Sequence, residues 1–180
     1  MQGFVNFASD IGNVLTILVP MLCYLAGGTL FILAGYGAWQ CTKPGTFWAG
    51  RKYLICLEML IGTILLSFDR FLDFATNSFG GGVAVSVASG ATSYTPPSID
   101  ADTVIGTSPE QTILTLVSDF SYFFMAYGAF IVFLSITSIR AVGRGERRHG
   151  ISLPLVMMVF GLALMNIQSI AQTIMNYFTA

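Results

Sequence analysis

Charge is what this chain has least of. Only 9% of its 180 residues are Asp, Glu, Lys or Arg, against about a quarter in a soluble domain. Apolar residues make up 54%, and the mean hydropathy is +0.74. A water-soluble globule is therefore excluded, and the composition is that of an integral membrane protein. Histidine is nearly absent: His149 stands alone. Haem ligation inside a bundle and histidine-based metal sites have no material to work with. No glycine-rich phosphate loop and no nucleophile elbow occurs, so the chain reads as non-enzymatic. The three cysteines, Cys23, Cys41 and Cys56, form no C-x-x-C pair. Cys23 and Cys56 fall in apolar runs and read as buried small hydrophobes. Met1 to Gly12 contains neither Lys nor Arg, so the positive region of a secretory signal is missing and the first apolar run reads as a resident helix.

What is present is a plan repeated twice. A first apolar span covers Ile11 to Gln40, preceded by a short segment with Phe4, Val5 and Phe7 suited to the membrane surface. Pro20 inside the span is expected to kink it. Cys41 to Lys52 is a short turn carrying Lys43, Arg51 and Lys52 and no acid, with Pro44-Gly45 at its bend and Trp48 at interface depth. The second span begins at Tyr53, is apolar to Phe68, and continues as an amphipathic helix to Phe79. Residues 80–112 read as a water-exposed loop with Gly80-Gly81-Gly82 and Pro96-Pro97. It ends in Ser108-Pro109-Glu110-Gln111, a good helix start with Ser as cap and Pro in first position. The third span runs from about Ile113 to Ile139. A basic elbow at 140–150 then carries Arg140, Arg144, Arg147 and Arg148 against Glu146 alone, and a fourth span follows from Ile151 to about Phe178. Its last part gains an amide-rich face through Asn166, Ser169, Gln172, Thr173 and Asn176.

The fold class expected is thus all-α and membrane-integral, with four transmembrane helices as two tandem hairpins: residues 1–79, the exterior loop 80–112, and residues 113–180. Seven of the eight cations lie in the two short turns, while region 69–112 holds five acids and only Arg70. The positive-inside rule puts both turns in the cytoplasm and the loop and both termini on the periplasmic side.

The halves also resemble each other in sequence. At an offset of 99, Met59/Met158, Gly62/Gly161, Leu65/Leu164, Asn77/Asn176 and Phe79/Phe178 are identical. At an offset of 100 in the preceding helices, Ala26/Ala126 and Gly28/Gly128 match. The relation is parallel, unlike the inverted repeats of many transporters. Small residues Ala26, Gly27, Gly28, Ala34, Gly35, Gly62, Ala126, Gly128 and Gly161 form seams that let helix backbones approach closely, within the chain or between subunits.

Two acids, Glu58 and Asp119, interrupt apolar runs. They make either helix–helix polar contacts near the interface or part of an ion path.

The four-span layout, the glycine-rich exterior loop and the short cationic turns resemble the small membrane proteins of type IVB secretion and I-type conjugation systems, the IcmC/DotE/TraQ group. Each hairpin alone is similar to a conjugative major pilin, with two apolar helices joined by a basic turn. Here two such hairpins share one chain, and a long loop joins them. The resemblance implies a self-assembling, non-enzymatic subunit of the bacterial inner membrane, forming a pilus or conduit. In it Lys43, Arg51, Lys52, Arg140, Arg144, Arg147 and Arg148 would face a lumen, with no cofactor beyond structural phospholipid. The implied partners are further copies, other secretion components, membrane lipid, and transported single-stranded DNA or protein. A fixed inner-membrane component of the same machine and a small ion or solute transporter using Glu58 and Asp119 are the alternatives.

Overall fold

The computed structural model describes the backbone of residues 2–78, 109–147 and 150–179; side chains are described for Phe7 and for residues 10–78, 120–121, 123–147 and 150–177. Most of the 80–112 loop, together with Arg148 and His149, lies outside the described residues, as does the side chain of Asp119.

Six helices account for the described chain: α1 (Gln2–Gln40), α2 (Lys52–Leu66), α3 (Phe68–Ser78), α4 (Pro109–Gly143), α5 (Ser152–Met165) and α6 (Ile167–Thr179). The protein is all-helical over these residues. Helix α1 absorbs the N-terminal segment that the sequence suggested as a separate surface helix, running through Gly12 at the junction without a break. It also runs through Pro20 as one element. Helix α4 begins at Pro109, the residue whose fixed φ and missing N–H suit the first turn. It extends past Ile139 to Gly143, since nothing in Arg140-Ala141-Val142 breaks a helix. Its end is a Schellman motif. Gly145 takes φ +76, its N–H donates to the carbonyl of Val142 at 2.9 Å, and the N–H of Glu146 donates to that of Ala141 at 2.9 Å. Arg140 is consequently a helical residue on a fixed face and does not belong to a loose turn.

Two helical segments are long and apolar enough to cross a membrane, Asp10–Gln40 and Phe123–Gly143. The pair α5 and α6 makes a third if taken as one span, but it is bent by 76°. By length and composition, the described residues thus hold two spans, or three with the bent pair counted as one. Helices of 15 and 14 residues, α2 and α5, are about 22 and 21 Å long. Both are short of a hydrocarbon core of about 30 Å.

The physical reason for the breaks is local. At Asn166 (φ −101, ψ 20) the side-chain Nδ2 donates to the carbonyl of Leu162 at 3.2 Å, competing with the backbone ladder. Ser67 (φ −107, ψ 33) makes the equivalent break between α2 and α3. After each break the helix turns amphipathic: Phe68, Leu72, Ala75 and Thr76 of α3 are buried while Arg70 and Phe74 are exposed.

The breaks at Ser67 and Asn166 are 99 residues apart, the offset found in the sequence. So are Gly62 and Gly161, each five residues before its break. Each glycine meets a glycine of the preceding long helix. A Cβ on Gly27 would lie 3.1 Å from the Gly62 carbonyl, and one on Gly128 would lie 2.6 Å from the Gly161 carbonyl. The structural partner of Gly128 in the first hairpin is therefore Gly27, at an offset of 101. Gly28, paired with Gly128 by sequence, is one position away from it.

The hairpins pack α1 on α2 and α4 on α5, and join mainly through α1 against α4. Val19, Cys23, Leu30, Ile61, Leu65, Ala129, Val132, Ile136 and Met165 form one continuous core between them.

Candidate functional site

The two basic elbows lie at one end of the bundle, where Glu58 of the first hairpin meets Arg140 and Arg144 of the second. Glu58 sits on α2, one and a half turns past the first elbow, with its side chain fully out of solvent. Leaving a carboxylate there unpaired would cost several kcal/mol, and the second hairpin supplies the partners. Arg140 Nε donates to Glu58 Oε2 at 2.9 Å, and Arg144 Nε lies 3.5 Å from Glu58 Oε1. Arg144 is shared, since Glu146 Oε1 lies 3.3 Å from the same nitrogen. Spacing explains the fork: residues 140 and 144 are one helical turn apart and present both guanidinium groups to one point.

Around this node the elbows interlock. Trp48, expected at the lipid interface, is buried instead. Its ring lies against α1 where Gly37 leaves room, a Cβ there falling 2.9 Å from Trp48 Cε3. The Arg144 guanidinium is 5.8 Å from the Trp48 ring centre. Gly143 packs directly on the Leu57 side chain, whose terminal methyl would have to shift to admit a Cβ at 143. Arg147 Nη1 donates to Ser138 Oγ at 3.3 Å. Lower in the second hairpin, the buried hydroxyl of Ser135 donates to the carbonyl of Pro154 at 2.5 Å, which joins α4 to the first turn of α5.

The remaining cations of the first elbow point outward. Lys43, Arg51 and Lys52 are exposed, Lys43 Nζ sitting 3.6 Å over the Trp39 ring and Arg51 stacking 4.8 Å from that of Phe47. The seven basic residues singled out by sequence thus divide: Arg140 and Arg144 are engaged by an acid, Lys43, Arg51 and Lys52 are outside, Arg147 is hydrogen-bonded, and Arg148 is not described.

The small residues divide too. Gly27 and Gly62, and Gly128 and Gly161, are the two close crossings. Ala34 and Ala126 are buried and Ala26 partly so. Gly28 and Gly35 face open space, with nothing within 4 Å of an added Cβ. Cys56, read as buried, is exposed on α2, while Cys23 is in the core. Of the amide-rich face, only Asn166 is buried; Gln172, Thr173 and Asn176 are exposed.

No group of three or more His, Cys, Asp or Glu side chains able to hold a metal ion occurs among the described residues. What the site offers chemically is a buried ion-paired joint between two hairpins, in which Arg140 hydrogen-bonds Glu58 while Glu58 Oε1 and Arg144 Nε are paired by charge without a hydrogen bond. Sequence reasoning flagged Glu58 but missed its partners, because Arg140 was read as loop. The helix-compatible run after Ile139 was the signal available.

Comparison with protein-family models, with curated proteins and with solved structures finds no match to this chain.

Proposed function

We propose that this chain is a non-enzymatic structural subunit of a type IV secretion or conjugation apparatus, seated in the bacterial inner membrane with both basic elbows on the cytoplasmic side. The observation that carries the reading is the Glu58 joint. It ties the cationic ends of two hairpins into one body whose remaining surface is largely lipid-compatible, as Ile17, Met21, Ile32, Val156 and Phe160 illustrate. A membrane building block needs such a body, and nothing more reactive. Its partners are further copies, other components of the machine and membrane lipid.

The joint favours the fixed component over the extruded filament. Arg140 and Arg144, held by a buried carboxylate, are withdrawn from any lumen, leaving Lys43, Arg51 and Lys52 as the exposed basic set. It also counts against an ion path through Glu58, since the acid is already matched by two guanidinium groups.

The test is genetic. Deleting the gene in its host is expected to abolish conjugative DNA transfer or protein secretion, with rescue by the wild-type chain and not by Glu58→Ala. Unchanged transfer and secretion would overturn the reading. Sheared extracellular material lacking the chain by mass spectrometry distinguishes the fixed component from the filament.

A further inference from the structure

The two elbows dispose of their cations in opposite ways. In the second, Arg140 and Arg144 lie on Glu58, Glu146 adds a further acid, and Arg147 donates to Ser138. In the first, Lys43, Arg51 and Lys52 are all exposed, and among the described residues none of them forms an ion pair with a carboxylate. What two of them touch is aromatic: Lys43 lies over the Trp39 ring and Arg51 over that of Phe47. Such a contact fixes where a cation stands without using the donors that an oxyanion needs. A guanidinium stacked on a ring keeps its N–H groups in its own plane, and an ammonium above one keeps donors pointing away.

The turn beneath these cations is firmly tied. Thr46 Oγ1 lies 3.0 Å from the Gln40 carbonyl oxygen and 3.1 Å from that of Lys43, and donates to both. Thr42 Oγ1 donates to the Trp39 carbonyl at 2.9 Å. Gly45 and Gly50 take the bends at φ +86 and +81, which side chains disfavour. Buried Trp48 then pins the whole elbow to α1.

Depth identifies what this surface meets. The elbow joins Gln40, the last residue of the Asp10–Gln40 span, to Lys52, the first of apolar α2. Around it Tyr36, Trp39, Phe47 and Tyr53 are each at least half exposed. Aromatic rings of this kind settle where hydrocarbon gives way to headgroups. Cations carried on them stand level with lipid phosphates. A lipid covers both parts, its phosphate on the cations and its chains on the rings, whereas a polyanion arriving from water covers only the cations.

We infer that the first elbow is a binding site for anionic phospholipid, its headgroup phosphate held by Lys43, Arg51 and Lys52, and that the second elbow is not. This names the class of lipid behind the contact proposed above, and it rests on the membrane seat of the chain and not on secretion.

The chain holds two tryptophans, of which Trp39 is exposed beside Lys43 and Trp48 is buried, so quenching from the lipid reports on the site. The full-length protein is reconstituted in phosphatidylcholine vesicles containing a minor fraction of phosphatidylglycerol, with bromine on the chains of one lipid or the other. Brominated phosphatidylglycerol is expected to quench Trp39 at a lower mole fraction than brominated phosphatidylcholine. Each cation removed in Lys43→Gln, Arg51→Gln or Lys52→Gln should lower that preference by about fivefold. The triple variant should lose it, while Arg147→Gln keeps it. Lys43→Arg and Lys52→Arg, which retain the charge, should also keep it, and an unshifted Trp48 emission shows that each variant is folded. Equal quenching by the two lipids in the wild-type chain would overturn the inference. So would a preference that survives the triple variant, or one lost equally in Arg147→Gln. Displacement of brominated phosphatidylglycerol by short single-stranded DNA at equal phosphate concentration would make nucleic acid the occupant and overturn it as well. No transfer or secretion step enters the assay. A preference found for a chain whose deletion leaves transfer and secretion intact would leave the lipid site standing and the secretion reading failed.

Discussion

Glu58 and Arg140, 82 residues apart in sequence, meet at 2.9 Å in the interior of the bundle. That single contact links the second leg of one hairpin to the first leg of the other at their basic ends. A buried ion pair rarely stabilises more than apolar residues of the same shape would, but removing one partner strands the other. The pair is therefore best understood as fixing which surfaces meet, and its loss is asymmetric in cost.

Glu58→Ala should lower stability by about 3–5 kcal/mol, because Arg140 and Arg144 are left facing each other without a counter-charge. Arg140→Ala should cost less, since Arg144 remains to serve the carboxylate. Combined Glu58→Leu and Arg140→Met should recover much of the loss. Thermal unfolding in detergent measures all three. An unchanged midpoint in Glu58→Ala would remove the joint from the explanation of the fold.

The glycines give a paired contrast. Gly128→Ala puts a methyl 2.6 Å from a backbone carbonyl that cannot swing aside. It should destabilise by about 1–3 kcal/mol through overpacking. Gly28→Ala meets nothing within 4 Å and should leave the monomer's unfolding midpoint unchanged or slightly raised. Equal effects at the two sites would contradict the crossing geometry.

Trp48 offers a third check. Buried between α1 and the arginine fork, it should cost about 3–5 kcal/mol when replaced by alanine. Its intrinsic fluorescence should also be blue-shifted relative to that of exposed Trp39, which a Trp39→Phe variant isolates. A red-shifted Trp48 would place it in water or headgroups.

Much of this architecture was legible in the residues. The helix start at Pro109 was spelled by Ser-Pro-Glu-Gln, and the two turns by their Gly, Pro and cations. The hairpin correspondence was visible in Gly62 and Gly161. Asn166 was also seen, but as the start of a polar face within a continuous helix. The break there carries no Pro or Gly; at Asn166 an amide side chain bonds its own ladder, which composition does not announce. Arg140 was assigned to a loop because charge clusters resemble turns, whereas the backbone continues helically until glycine ends it. Long-range pairing was the least readable element. Nothing local in Glu58 names a partner 82 residues on. The burial of Trp48 likewise depends on Gly37 in another element, and a tryptophan at the end of an apolar run is more often an interface anchor.

The most direct test is the side of the membrane on which each elbow lies. Lys43→Cys and Arg147→Cys, both at exposed positions, can be placed one at a time in the chain lacking Cys23, Cys41 and Cys56. They are then labelled with an impermeant maleimide in spheroplasts and in inverted inner-membrane vesicles. Both should label only in the inverted vesicles, as the proposed cytoplasmic placement of the two elbows requires. Labelling of the two from opposite sides would contradict the joint itself.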